Sequence, residues 1–272
     1  MNQHAPAGLD QNGRSREFWE RIAARDAQGG LAGLLDGDPL LAQYRDRAER
    51  QVCFEQLSDR LSPSSRVLEV GCGSGRWTID LARRYRQVVA LDISAGMIQQ
   101  ARERVSAAGL RNVELAVAPM DEAELEGEFD LIYLGSCLHY MDDEAIVRGL
   151  ERVAPRLAPG GVLLSRDTVS LIGKTFHRSE RYGGDDPAIY RPIAWYEQAM
   201  RRHGLELVAA WPTWVKPLSW RLRWLLPPAL RRACLERELG LASFEVRHPW
   251  LLRWPGPKEH RFFRYERAPV RA

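Results

Sequence analysis

Residues 71–75 read Gly71-Cys72-Gly73-Ser74-Gly75, directly after an apolar run and before a helical pattern. Glycines there permit a tight turn and let the backbone approach a ligand, with the free N–H groups of the helix aimed at it. Asp92 stands 21 residues after Gly71, at the end of the next apolar run. A carboxylate at about that distance accepts hydrogen bonds from ribose hydroxyls. The two features together predict a nucleoside site. Other residues are placed to move protons or grip anions. His139 lies in Gly135-Ser136-Cys137-Leu138-His139-Tyr140-Met141, and an imidazole titrates near neutrality. Arg166-Asp167 closes a later apolar run. Read functionally, Asp167 is a base or acceptor clamp and Arg166 an anion grip; read structurally, the two form a local ion pair. Tyr190 and Arg191 precede a further helical pattern, Tyr190 as the next candidate base and Arg191 as a candidate substrate contact. The pairs Asp142-Asp143 and Asp185-Asp186 are too generic for metal ligands, so no metal is assigned, and His177 reads as a solvated loop residue.

These residues need a scaffold that brings loop ends together. Short apolar runs at 66–70, 87–91, 113–117, 129–134 and 162–165 read as strands. Helical patterns fill 75–85, 95–108 and 143–157, the second closed by Gly109 and the third by Pro159-Gly160-Gly161. Strand–helix alternation predicts a doubly wound α/β sheet, mostly parallel, which binds ligands at the carboxyl ends of its strands. A helix at 193–203, a strand at 205–210 and an antiparallel last strand at 260–267 complete it. Residues 1–15 read as a disordered tail and 16–61 as a helical cap, leaving 62–272 as the main domain with an insertion at 211–257.

A chain of 272 residues, 45% hydrophobic, can bury one sizeable core. Its four cysteines are scattered, which disfavours a zinc site or disulfide framework and fits a reducing cytoplasm. No apolar leader or spanning stretch is evident. The net charge of +3 hides an asymmetry: residues 201–272 hold 15 basic and 6 acidic residues, and six of the nine tryptophans.

The run Val67-Leu68-Glu69-Val70-Gly71-Cys72-Gly73-Ser74-Gly75 resembles the first motif of class I S-adenosylmethionine-dependent methyltransferases. The third glycine of the dehydrogenase pattern G-x-G-x-x-G is missing, Arg76 occupying its place, and the chain has no Tyr-x-x-x-Lys pair. Further landmarks follow in order: Leu91-Asp92-Ile93-Ser94 with Met97, Met120-Asp121, Phe129-Asp130-Leu131-Ile132, and Leu157-Ala158-Pro159-Gly160-Gly161. The resemblance implies a Rossmann-like fold and S-adenosylmethionine as cofactor. It implies cofactor contacts from Glu69, Gly71, Gly73 and Gly75, with Asp92 on the ribose. Ile93, Met97 and Met120 would flank the adenine and Asp121 accept from its amino group, while Gly135 and Ser136 lie near the methionine amine. For Ile93 and Met97, plain core packing is the other reading.

The sulfonium chemistry belongs to such a cofactor, so the protein must align an acceptor and exclude water. A hydroxyl acceptor calls for a base, whereas a carboxylate, amine or thiol needs proximity alone. The leading expectation is transfer to a small-molecule or glycan-type acceptor. An inactive binding module conflicts with the intact glycines, Asp92 and Asp121. Nucleic-acid methylation is disfavoured, because the loop after the fourth strand lacks an Asn/Asp-Pro-Pro-Tyr motif. The basic, tryptophan-rich insertion reads either as a folded lid or as a contact for an anionic, lipid-linked acceptor or an anionic membrane face.

Overall fold

The computed structural model describes residues 10–25, 39–176, 186–213, 216–222, 224–248 and 258–268. His177, Asp185, Trp214, Trp250 and Trp254 lie outside them. Five parallel strands form the heart of the sheet: β1 (Arg66–Val70), β2 (Gln87–Asp92), β3 (Val113–Val117), β4 (Phe129–Gly135) and β5 (Leu157–Ser170). A two-stranded ladder, β6 (Thr175–Phe176) with β7 (Ile189–Tyr190), stands beside it. Strands β8 (Leu205–Pro212) and β9 (Lys258–Arg267) complete a seven-stranded order β3-β2-β1-β4-β5-β9-β8. β9 alone runs antiparallel to its neighbours. Order reverses between β1 and β4, so ligand-binding loops belong at the carboxyl ends of these strands.

Two cores explain why both faces of each central strand are apolar. Leu68, Ile132, Leu134 and Leu163 face one side with Ile146 and Leu150, whereas Val67, Leu131, Val162 and Leu164 face the other with Trp77 and Ile98. Helices α3 (Thr78–Arg84), α4 (Ala95–Ala107), α5 (Asp143–Val153) and α6 (Ile193–Arg202) supply the crossovers. Helix starts are set locally, the Ser94 and Asp142 side chains accepting the backbone N–H of Met97 and Ala145. The fifth strand is longer than its sequence pattern suggests. It starts at Leu157, and the Pro159-Gly160-Gly161 turn is absorbed as a register shift between Phe129↔Leu157 and Leu131↔Val162. Pairing with β9 carries it on to Ser170.

The N-terminal part also departs from expectation. Helix α1 (Gln11–Arg25) begins within the stretch read as disordered. Asp10 accepts the N–H of Gly13 at 2.7 Å, and the Ser15 hydroxyl and Gln11 amide both donate to the Tyr140 carbonyl. Tertiary contacts, rather than composition, order this turn. Helix α2 (Pro39–Leu57) packs on the later helices α8 (Pro228–Leu239) and α9 (Ala242–Arg247) through Tyr44, Ala48, Leu235 and Ala242, and α7 (Leu218–Arg221) packs on α8.

The other edge of α2 carries Glu49, fully buried. Arg166 on β5, Arg76 after the glycine loop and Arg45 on α2 donate to it at 2.6, 2.6 and 3.0 Å. Although burial pushes this carboxyl up, the three guanidiniums hold it well below its usual range. The resulting stabilisation is complete above the unfolded carboxylate pKa and is lost as pH falls toward the lower, folded one. Glu49→Ala, by stranding three buried cations, is expected to cost about 3–5 kcal/mol. Denaturant unfolding at neutral pH measures this, and a change under about 1 kcal/mol would refute the assignment.

Candidate active site

The glycine loop, the ends of β2 and β4, and the first turn of β9 converge on one cavity of about 330 Å³, within the range of small-molecule sites. Gly71 adopts φ +76°, and a Cβ there would stand 2.8 Å from the Cβ of Cys137. Gly73, at φ +54°, lines the cavity, and a Cβ on it would meet nothing within 4 Å. The loop therefore presents bare backbone to a ligand. Asp92 is aimed by the N–H groups of Gly73 and Ser94 at 2.8 and 2.9 Å. Burial raises its pKa to about 6. Ile93, Met97, Met120, Gly135 and Ser136 line the same cavity. Ser136 turns at φ 62°, unusual for a side-chain-bearing residue, and its hydroxyl accepts from Arg166.

Three residues assigned to the cofactor stand elsewhere. Glu69 lies behind the loop, where its carboxyl accepts from Thr78 at 2.7 Å and burial raises its pKa to about 8. Gly75 does not line the cavity; a Cβ would press on Ala101 at 3.2 Å, so it lets α4 pack against the loop. Asp121 is also outside the lining, its carboxylate taken by Arg148 at 2.9 Å and Asn12 at 3.2 Å. Asn12, Ser15 and Trp19 of α1 line the cavity instead.

The acceptor candidates divide likewise. His139, 5% exposed, lines the cavity, while Asp167, 1% exposed, does not. Asp167 bonds the Nδ1 of His139 at 2.9 Å and accepts from the Ser165 hydroxyl through its other oxygen. Asp167 thus orients the imidazole rather than touching a ligand. Arg166 and Tyr190 line the cavity, the Tyr190 ring 5.7 Å from that of His139. Burial and nearby Asp186 raise the Tyr190 phenol pKa, keeping it protonated. Arg191 is no acceptor contact. Fully buried, it donates to the Asp143 carboxylate at 2.7 Å and to the carbonyls of Met141 and Leu138 at 2.7 and 3.3 Å. It holds the His139 turn from behind.

Sequence reasoning missed Arg45, Lys258 and His260, all cavity-lining. Thr168 pairs with the Nδ1 of His260 at 2.8 Å, and burial with nearby Arg45 and Arg166 holds His260 neutral. Only the register of β9 on β5 brings Lys258 and His260 here. Among the described residues the insertion contributes nothing to the lining.

A family profile described as a methyltransferase domain matches residues 67–161. The trans-aconitate 2-methyltransferase of Variovorax paradoxus is 36% identical over 136 residues, covering 48% of this chain and 49% of the relative. The magnesium-protoporphyrin O-methyltransferase of Rhodobacter capsulatus is 29% identical over 180 residues, covering 62% and 78%. The chain spans about half or less of the length of the trans-aconitate relatives it matches. The crystal structure of a Synechocystis magnesium protoporphyrin IX methyltransferase with bound S-adenosylmethionine superposes with a TM-score of 0.61, at 15% identity, over 97% of this chain and all of that one. That likeness is one of fold.

The bare loop and the aimed carboxylate fit the glycine and ribose roles of this cofactor. Asp92→Ala is expected to weaken S-adenosylmethionine binding by about 1.5–3 kcal/mol through lost charge-assisted hydrogen bonds. Affinity in the unmodified protein should fall as pH drops below about 6, where Asp92 gains a proton and one acceptor site is lost. Calorimetry reads both effects, and equal affinity at pH about 5 and about 8 contradicts the ribose role.

Proposed function

From a chain that carries, over residues 67–161, a Rossmann-like methyltransferase domain of the S-adenosylmethionine-dependent class, we infer an enzyme that methylates a small, anionic acceptor in the cytoplasm. One observation carries this reading. The cavity lined by Gly71, Gly73 and Asp92 is also lined by His139, Arg45, Arg166 and Lys258. A nucleoside cradle and a cation-rich wall with an imidazole therefore share one space. Relatives named for trans-aconitate, magnesium protoporphyrin and ubiquinone biosynthesis support a small-molecule acceptor.

When bound, the cofactor supplies an electrophilic methyl group on a sulfonium. The protein's own work is alignment and proton removal. Gly71 and Gly73 admit the methionine and ribose portions, Asp92 accepts from the ribose hydroxyls, and Met97 and Met120 give an apolar bed for the base. The Asp167 carboxylate accepts the Nδ1 proton of His139, which leaves Nε2 with its lone pair for the cavity. Nε2 then takes the proton of an acceptor hydroxyl as that oxygen attacks, and Asp167 stabilises the imidazolium. Arg45 and Arg166, 5% and 6% exposed, are held in place by Glu49. A carboxylate or phosphate of the acceptor would bind there, the guanidinium fork matching its oxygens.

His139→Ala is expected to leave cofactor affinity intact and lower kcat by about 10²-fold or more. Asp167→Asn, which keeps the shape but loses the charge orienting the ring, should lower kcat by about tenfold with little change in KM. Lys258→Ala should act mainly on KM. The assay is a panel of hydroxylated carboxylates and phosphates, each beside a neutral hydroxylated analogue, with methyl-labelled cofactor. Unchanged turnover in both His139→Ala and Asp167→Asn would sink the base assignment; labelling of neutral members alone would sink the anionic acceptor.

A further inference from the structure

The segment from α7 to α9 is not used by the cavity, yet its surface is unusual. Seven of the twelve exposed large apolar side chains among the described residues fall within it, among them Leu218, Leu222, Trp224, Leu225 and Leu230. Trp224 is 83% and Leu225 77% exposed, at a turn that runs into Pro227-Pro228. The three helices form one unit. Ser219 donates to Glu238 from both its N–H, at 2.9 Å, and its hydroxyl, which clamps α7 to the end of α8. Gly240 then leads directly into α9, so the apolar residues share one continuous module.

The charge of this module points the same way. Residues 216–248 hold seven basic and three acidic residues. Each carboxylate is engaged by the protein: Glu236 pairs with Arg47 of α2 at 2.7 Å, Glu238 with Ser219, and Glu245 is buried beside Tyr44. Lys216, Arg232 and Arg237 are exposed among the apolar residues. On α8 the outward stripe is Leu230, Ala233 and Arg237, opposed to buried Leu235.

We propose that the outer face of α7–α9 docks the protein on an anionic lipid bilayer, with the Trp224–Leu225 turn entering the headgroup layer. Tryptophan suits that depth, having an apolar body and a polar N–H, and arginines beside it meet lipid phosphates. A second copy of the chain is a poorer occupant. A two-fold contact would bring the positive charge of both modules, seven basic against three acidic residues each, into one interface. Docking would hold α2, and so the Arg45 wall of the cavity, one helix away from the bilayer. The proposal does not depend on the catalytic reading.

Sedimentation of the full chain with phosphatidylcholine vesicles containing about one-third phosphatidylglycerol tests it. Binding is expected to these vesicles and not to phosphatidylcholine alone, and to weaken as salt rises from about 0.1 to about 0.5 M. Arg232→Ala with Arg237→Ala should lower partitioning by roughly tenfold or more, at about 1 kcal/mol per charge near the surface. Trp224→Ala with Leu225→Ala should lower it at least as far while leaving the unfolding midpoint and cofactor affinity unchanged. His139→Ala should bind vesicles like the unmodified chain, which separates this surface from the active site. No binding to the anionic vesicles, or binding that neither double variant weakens, would overturn the proposal. So would a dimer in sedimentation equilibrium that Trp224→Ala/Leu225→Ala dissociates, since the face would then be a contact between copies.

Discussion

A buried carboxylate, Glu49, is the point on which the rest of the site depends. Its side chain has no exposure, and an unpaired charge there would cost several kcal/mol. It is tolerated because Arg45, Arg76 and Arg166 reach it from α2, from the end of the glycine loop and from β5. Those three elements have no sequence proximity, so the ion cluster is what fixes the distance between them. Asp46 shares Arg76 at 2.9 Å, which extends the same anchoring to a second carboxylate three residues earlier on α2. The three guanidiniums also line the cavity. A purely apolar contact would pin α2 as firmly but would leave the wall uncharged; a carboxylate buried behind the cations stiffens the wall and keeps it positive.

The His139 turn is held by a similar device. Arg191 stands with no exposure behind it, donating to the carbonyls of Leu138 and Met141, while Lys174 and Arg191 hold the Asp143 carboxyl below its usual range despite partial burial. Asp167 then sets the ring by one hydrogen bond, and Ser165 sets Asp167. Arg191, Lys174, Asp143, Asp167 and Ser165 therefore act through the His139 turn without lining the cavity. Preorganisation of this kind fixes the angle of the imidazole before any ligand arrives. It also explains why a guanidinium adjacent to the presumed acceptor region need not meet an acceptor.

The fold was legible wherever a local pattern had one outcome. The apolar runs before Gly71 and Asp92 became β1 and β2, and the spacing of those two residues survives as the Gly73 N–H bond to Asp92. Pattern reading failed where tertiary pairing decides. β5 outruns its apolar stretch because β9 lies beside it, and α1 starts early because Tyr140 offers its carbonyl. Within the site, topology alone takes His139 and Arg166, which follow or end strands, to the wall of the cavity. Glu69, Asp121 and Arg191 look the same in sequence, yet each found a nearer partner in Thr78, Arg148 or Asp143. Such a choice depends on side-chain neighbours from distant elements. Arg45 carried no signal at all, because nothing in a polar amphipathic helix separates a cavity-lining arginine from a solvated one.

The basic C-terminal part shows how composition conceals two separate things. Its charge reads as a single feature in the sequence, but the structure divides it between opposite destinations. On β9, antiparallel pairing points Lys258 and His260 inward, where burial lowers the affinity of both for protons. Across α7–α9, the carboxylates turn toward α2, Ser219 and Tyr44, while Lys216, Arg232 and Arg237 are exposed, as are Trp224 and Leu225. The tryptophans divide in the same way: Trp211 is buried against Phe262 at 5.8 Å, whereas Trp224 stands in solvent. Among the described residues the insertion at 211–257 therefore adds nothing to the wall of the cavity. β8 and β9 complete the sheet, β9 also reaches the cavity through Lys258 and His260, and the helices between them pack on α2 and β8 while carrying exposed cationic and apolar side chains.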